Sequence, residues 1–143
     1  MNRYRTMRFP PKTSLILITI SWLFILAGSI PNTTAITALC NMGMYSQGDP
    51  FGISLDYVVA ELERATPTSK NYDFFNISPF PNAFAYGHAT CNLNLTSSDC
   101  ATCLGAAKMT MFGTCLSQIG ARAMLQDCTI RYEQYPFTDE DDG

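Results

Sequence analysis

The stretch CNLNLTSSDCATC, Cys91 to Cys103, sets three cysteines in a C-x8-C-x2-C spacing, and Cys40, Cys115 and Cys128 bring the chain to six. Six thiols constrain a fold most when they are oxidised, and the start of the chain speaks to that. Residues 1–29 open with Arg3, Arg5, Arg8 and Lys12, run apolar from Leu15 to Gly28, and end in Ala27, Gly28 and Ser29. A cationic start, an apolar middle and a small-residue exit read as a secretory signal peptide. The apolar run falls short of the ~20 residues a spanning helix needs, so cleavage after Ser29 or Ala35 is expected rather than membrane anchoring. Outside the cell, an even set of cysteines reads as three disulfides.

Two other uses of the spacing fare worse. Zinc ribbons carry two CxxC pairs, and this chain has one, Cys100 and Cys103. Redox chemistry of the thioredoxin type also needs CxxC at a helix start, where the dipole lowers the thiol pKa. No βαβ context surrounds it here, and four further cysteines would have no part in it. Six cysteines allow fifteen pairings, and local geometry does not choose among them.

Four of the nine basic residues lie in the leader and none of the twelve acidic ones, so the remainder carries five cations against twelve anions. An acidic domain of this size, with one modest core, is steered neither to nucleic acid nor to anionic lipid. Neither a nucleic-acid partner nor membrane insertion is expected. Three sequons, at Asn32, Asn76 and Asn94, would be available to N-glycosylation in an exported chain. Pro79 weakens the second, and Asn94, just ahead of a helix start, is the best placed.

Periodicity supplies the elements. Leu55, Val58, Val59 and Leu62 recur at helical spacing, with Asp49 as cap, Pro50 in the first turn and Pro67 as the stop. A short strand is expected over Tyr72 to Ile77 and a second over AFAYGHATC, with Phe84, Tyr86 and His88 on one face. TSSDCATCLGAAKMTMFGTC restarts a helix, capped by Thr96 or Ser97, with Cys103, Ala107 and Met111 on one side. Further on, Cys128, Ile130 and Tyr132 alternate with Thr129, Arg131 and Glu133. TDEDDG, from residue 138 on, reads as a solvated, disordered acidic tail, though nothing marks it as a natural terminus. The order predicts α+β architecture, an antiparallel sheet with two helices on one face.

The C-x8-C-x2-C motif, with AYGHATC before it and CLSQIGARAMLQDCTIRYEQ after it, resembles the ginkbilobin-homologous domain of plants, also called the stress-antifungal or cysteine-rich secretory domain. DPF before the first helix and Cys40-Asn41 match as well, and the likeness covers roughly residues 36–137. It implies a single domain over residues 30–137, with a five-stranded antiparallel sheet and two helices. It also implies disulfides Cys40–Cys115, Cys91–Cys100 and Cys103–Cys128, and location in the plant apoplast.

Members of that family bind mannose through an Asn, an Arg and a Glu, which fall here on Asn41, Arg122 and Glu133. The implied function is a mannose-binding, lectin-like antifungal protein with mannan-type glycans as partners. The rival reading is an extracellular interaction module for a receptor ectodomain, since plant receptor-like kinases carry the domain, usually duplicated. Enzyme readings find little material. The single histidine, His88, sits mid-strand with no carboxylate or nucleophile at a recognisable spacing, and no carboxylate pair stands out. No cofactor and no metal are expected.

Overall fold

The computed structural model describes residues 30–142, and the signal peptide read over residues 1–29 lies outside them. Five strands and two helices alternate along the chain: β1 (Ala35–Cys40), α1 (Pro50–Ala65), β2 (Asp73–Ile77), β3 (Tyr86–Cys91), α2 (Ser97–Thr114), β4 (Gly120–Leu125) and β5 (Cys128–Glu133). The strands form one sheet in the order β1-β4-β5-β3-β2, with every neighbouring pair antiparallel. This is the α+β fold expected from the sequence.

The helices begin where the capping residues dictate. The Asp49 carboxylate accepts from the Phe51 N–H at 2.9 Å, and Pro50 occupies the first helical position, where it costs no hydrogen bond. Thr96 caps α2 by accepting from the Asp99 N–H at 3.1 Å. The first strand of the hairpin starts at Asp73 rather than Tyr72, because Tyr72 takes φ 49° and turns its hydroxyl to the Leu95 carbonyl at 3.0 Å. Its partner strand starts at Tyr86, three residues later than the stretch AFAYGHATC suggests.

Both helices pack on one face of the sheet. Phe51, Leu55, Val58, Val59 and Leu62 of α1 are buried there, beside Cys100, Cys103, Leu104, Ala107 and Met111 of α2. The sheet meets them with small residues, Gly87, Ala89, Ala121 and Ala123, which let the helices lie close. At Gly87 a Cβ would collide with Val58 and stand 2.9 Å from Cδ1 of Leu62. Lys108 and Glu63 join the helices at 2.6 Å.

Disulfides join Cys40 to Cys115, Cys91 to Cys100 and Cys103 to Cys128, with Cα separations of 5.4, 5.7 and 6.0 Å. These are the pairs implied by the family resemblance. All three run from α2 or the residue that ends it to a different strand: β1, β3 and β5. On the chain-entropy account the 75-residue separation of Cys40 and Cys115 contributes roughly 4 kcal/mol and the shortest loop about 2–3. Those are large shares of the about 5–15 kcal/mol that holds such a domain folded.

Tyr132 fills the centre of the core, with ring centroids 6.5 Å from Phe51 and 6.0 Å from Phe112, and donates to the Gln118 carbonyl at 3.0 Å. Burial, followed by the nearby Tyr45 and Glu133, pushes its phenol pKa well above the ordinary value.

Two outcomes follow from this packing. Gly87→Ala should cost about 1–3 kcal/mol by overpacking against α1, read as a lower urea midpoint of the oxidised protein at unchanged slope. Because the native phenol of Tyr132 holds its proton to higher pH than the unfolded one, its share of stability is complete below about pH 10 and declines above that. Urea midpoints measured from pH 8 upward should therefore fall less steeply in Tyr132→Phe.

Candidate functional site

The face of the sheet away from the helices is a lattice of cross-strand partners. In one row Ile77 of β2, Tyr86 of β3, Glu133 of β5 and Gly120 of β4 lie side by side. Asn41, just past β1, completes it by donating its backbone N–H to the Gly120 carbonyl at 2.8 Å. The next row runs Phe75, His88, Arg131, Arg122 and Leu39. Asn41 and Glu133 thus share a row, and Arg122 is the diagonal neighbour of Glu133, within reach for long side chains.

Gly120 makes the arrangement possible. A Cβ there would stand 2.5 Å from the Glu133 carboxylate carbon, so the carboxylate occupies space over β4 that any other residue would fill. From there Oε2 accepts from Nδ2 of Asn41 at 3.5 Å, and Oε1 accepts from Nε of Arg131 at 3.2 Å. The Asn41 side-chain oxygen accepts from the Gly43 N–H at 3.1 Å. Gln118, with its amide nitrogen turned toward the loop, donates to the carbonyls of Asn41 and Gly43 at 2.5 and 2.8 Å. The Cys40–Cys115 bond holds the residue before Asn41.

The alternation that turns Arg131 and Glu133 away from the helices is present, but the face is not wet there. Arg131 is 7% exposed and Glu133 6%, because the chain after β5 folds back over Arg131, and the Glu133 carboxylate lies along the sheet over Gly120, between Asn41 and Arg131. Phe137 lays its ring 4.2 Å from the Arg131 guanidinium carbon, and Asp139 accepts from Nη1 of Arg131 at 3.2 Å. The expectation of a solvated, disordered acidic tail therefore fails at Asp139, which has hydrogen-bonding partners on the sheet, Arg131 and His88, that a reading of the terminal residues alone does not contain. A 3₁₀ turn over Asp139–Asp142 follows.

The reading of His88 as lacking a carboxylate partner is corrected in the same place. Its Nδ1 meets Asp139 and its Nε2 meets Asp73 at 2.9 Å, while its ring stacks on Phe75 with centroids 3.7 Å apart. Asp73 was legible as a diagonal partner once the hairpin register is known; Asp139 lies 51 residues away and left no sequence signal. His88, Arg131 and Asp139 tie the end of the chain to the edge hairpin. Among the described residues no group of three or more His, Cys, Asp or Glu is arranged to hold a metal ion.

Beside this tie an open groove of about 490 Å³ runs between the edge hairpin and the returning chain, lined by Phe75, Asn76, Ile77, Tyr86, Pro136 and Phe137.

Residues 39–135 match the family described as salt stress response/antifungal. The chain is 35% identical over 112 residues to antifungal protein ginkbilobin-like protein 1 of Picea glauca, covering 78% of this chain and 79% of that one. It is 36% identical over 108 residues to antifungal protein ginkbilobin-2 of Ginkgo biloba, covering 74% and 80%. Among solved structures, the tandem DUF26 ectodomain of PDLP8 from Arabidopsis thaliana superposes with a TM-score of 0.68 at 22% identity, covering 73% of this chain and 50% of that one. The ectodomain of PDLP5 gives 0.64. The chain spans about half the length of these ectodomains, and the likeness to them is one of fold.

The dependence of the site on Gly120 is open to direct test. Gly120→Ala should keep all three disulfides yet turn the Glu133 carboxylate off Asn41, seen as a shift of the Asn41 side-chain amide resonances in a ¹⁵N–¹H spectrum.

Proposed function

As the chain belongs to the salt stress response/antifungal family, we propose that it is an exported, lectin-like antifungal defence protein that binds mannose through Asn41, Arg122 and Glu133. The observation that carries this reading is the meeting of Asn41 and Glu133 across Gly120, with Arg122 on the adjoining diagonal. Sugar hydroxyls both donate and accept. A guanidinium supplies only donors, a carboxylate only acceptors and an amide both, so the three grip neighbouring hydroxyls of one ring. The 3.5 Å contact between Asn41 and Glu133 is at the long end of a hydrogen bond, so little is lost when a hydroxyl takes its place.

The site is held before the ligand arrives. Cys40 and Cys128 anchor the strands that carry Asn41 and Glu133, and Gln118 holds the loop, which lowers the ordering cost of binding. One ring on a shallow face binds weakly, on the order of millimolar. Useful avidity then comes from many copies of the sugar on one surface, such as a wall mannan.

Export to the plant apoplast fits three disulfides and relatives named as antifungal proteins. Among the described residues no helix is long and apolar enough to cross a membrane. Asn94, exposed in the turn before α2, is the sequon best placed to carry a glycan. The rival reading, a module that docks on a receptor ectodomain without sugar, would gain support from capture of such an ectodomain that survives excess mannose.

Calorimetry with methyl α-mannoside decides the matter. The oxidised protein should bind it, and Arg122→Ala should weaken binding at least tenfold while circular dichroism shows the fold unchanged. No heat at saturating sugar, or an Arg122→Ala variant that binds equally well, refutes the assignment.

A further inference from the structure

The apolar groove lies in direct continuation of the mannose site proposed above. Tyr86, one of its walls, is the cross-strand partner of Glu133, so the groove opens a single interstrand spacing, about 4.8 Å, from the Glu133 backbone, and about two from its carboxylate, which lies over β4. Its other walls are unusual for an open surface. Phe75 is 50% exposed and Ile77 55%, and both sit on β2, an edge of the sheet.

These walls are held in place. Phe75 stacks on His88, the Phe137 ring lies 5.9 Å from that of Phe75, and Asp139 binds both His88 and Arg131 beneath. Its volume of about 490 Å³ falls within the roughly 300–1,000 Å³ typical of small-ligand sites.

The lining decides the class of occupant. None of the six residues is charged at neutral pH, which gives a uronate or a phosphate nothing to pair with. A pyranose ring has a C–H-rich face that packs on aromatic carbon and a rim of hydroxyls that stays wet. Along the row from Asn41 to Ile77 the sheet changes from hydrogen-bonding groups to rings and aliphatic carbon within about four interstrand spacings of ~4.8 Å. That length accommodates more than one ring.

We infer that the groove is a second subsite, which takes the adjacent ring of a neutral mannose oligosaccharide whose terminal ring is held by Asn41, Arg122 and Glu133. The inference rests on the proposed mannose site and names its substrate as an oligosaccharide. Phe137, held through Asp139, closes one side of the subsite, and Ile77 closes the other.

Methyl α-mannoside and the 2-, 3- and 6-linked α-mannobioses, titrated into the full oxidised chain, separate the possibilities. At least one disaccharide should bind tenfold or more tighter than the monosaccharide. Phe137→Ala and Ile77→Thr should each cut that ratio to threefold or less, with monosaccharide affinity unchanged. Ile77 is exposed and Thr suits a strand, so this second variant keeps the test valid if Phe137→Ala disturbs the fold. Equal affinity for all four sugars overturns the subsite and leaves the mannose site standing. A disaccharide gain that survives both substitutions also overturns it, since the second ring then lies elsewhere. Binding of none of the four defeats the mannose site itself, and the subsite with it.

Discussion

One helix is bolted to the sheet three times. Cys100, Cys103 and Cys115 reach from α2 and its end to β3, β5 and β1, and each is fully buried. The face that α2 turns inward is built largely of small residues, the two cysteines and Ala107, with Leu104 and Met111 for bulk. Such a face buries little area per turn and would dock weakly by the hydrophobic effect alone. The covalent ties compensate by restricting the unfolded chain, and they determine which strands lie under the helix.

The consequence reaches the opposite face. Once β1, β4 and β5 are in register, Asn41, Gly120 and Glu133 fall in one row, and the gap at Gly120 lets the carboxylate cross to the amide. The polar set is therefore a product of register, and register is strongly specified when the other side of each strand is buried. Small residues serve both faces: Gly87 admits α1 beneath the sheet, and Gly120 admits Glu133 above it. The returning chain then covers Arg131 and His88, which joins the polar row to the aromatic groove on the hairpin edge.

Much of this was legible from residue order. The caps at Asp49 and Thr96, the apolar stripe of α1, and the alternation of Cys128, Ile130 and Tyr132 each carry a local signal that the packing preserves. The disulfide partners came from likeness to a family, since fifteen pairings satisfy the same spacing. What eluded the sequence was long-range and electrostatic. Nothing local says that Asp139 pairs with Arg131 and His88, because a run of acids at the end of a chain ordinarily stays solvated. The burial of Glu133 was hidden for a related reason: alternation tells which way a side chain points, and the neighbours that enclose it, Gly120 and Asn41, come from β4 and the end of β1.

The cross-linked register puts Asn41, Arg122 and Glu133 on one face of the sheet, the proposed mannose site. Mapping ¹⁵N–¹H shifts of the oxidised protein during a mannose titration tests it most directly. Saturable changes should centre on Asn41, Gly120, Arg122 and Glu133, with the helices undisturbed. A spectrum that does not move, or one whose changes centre on another part of the surface, would contradict it.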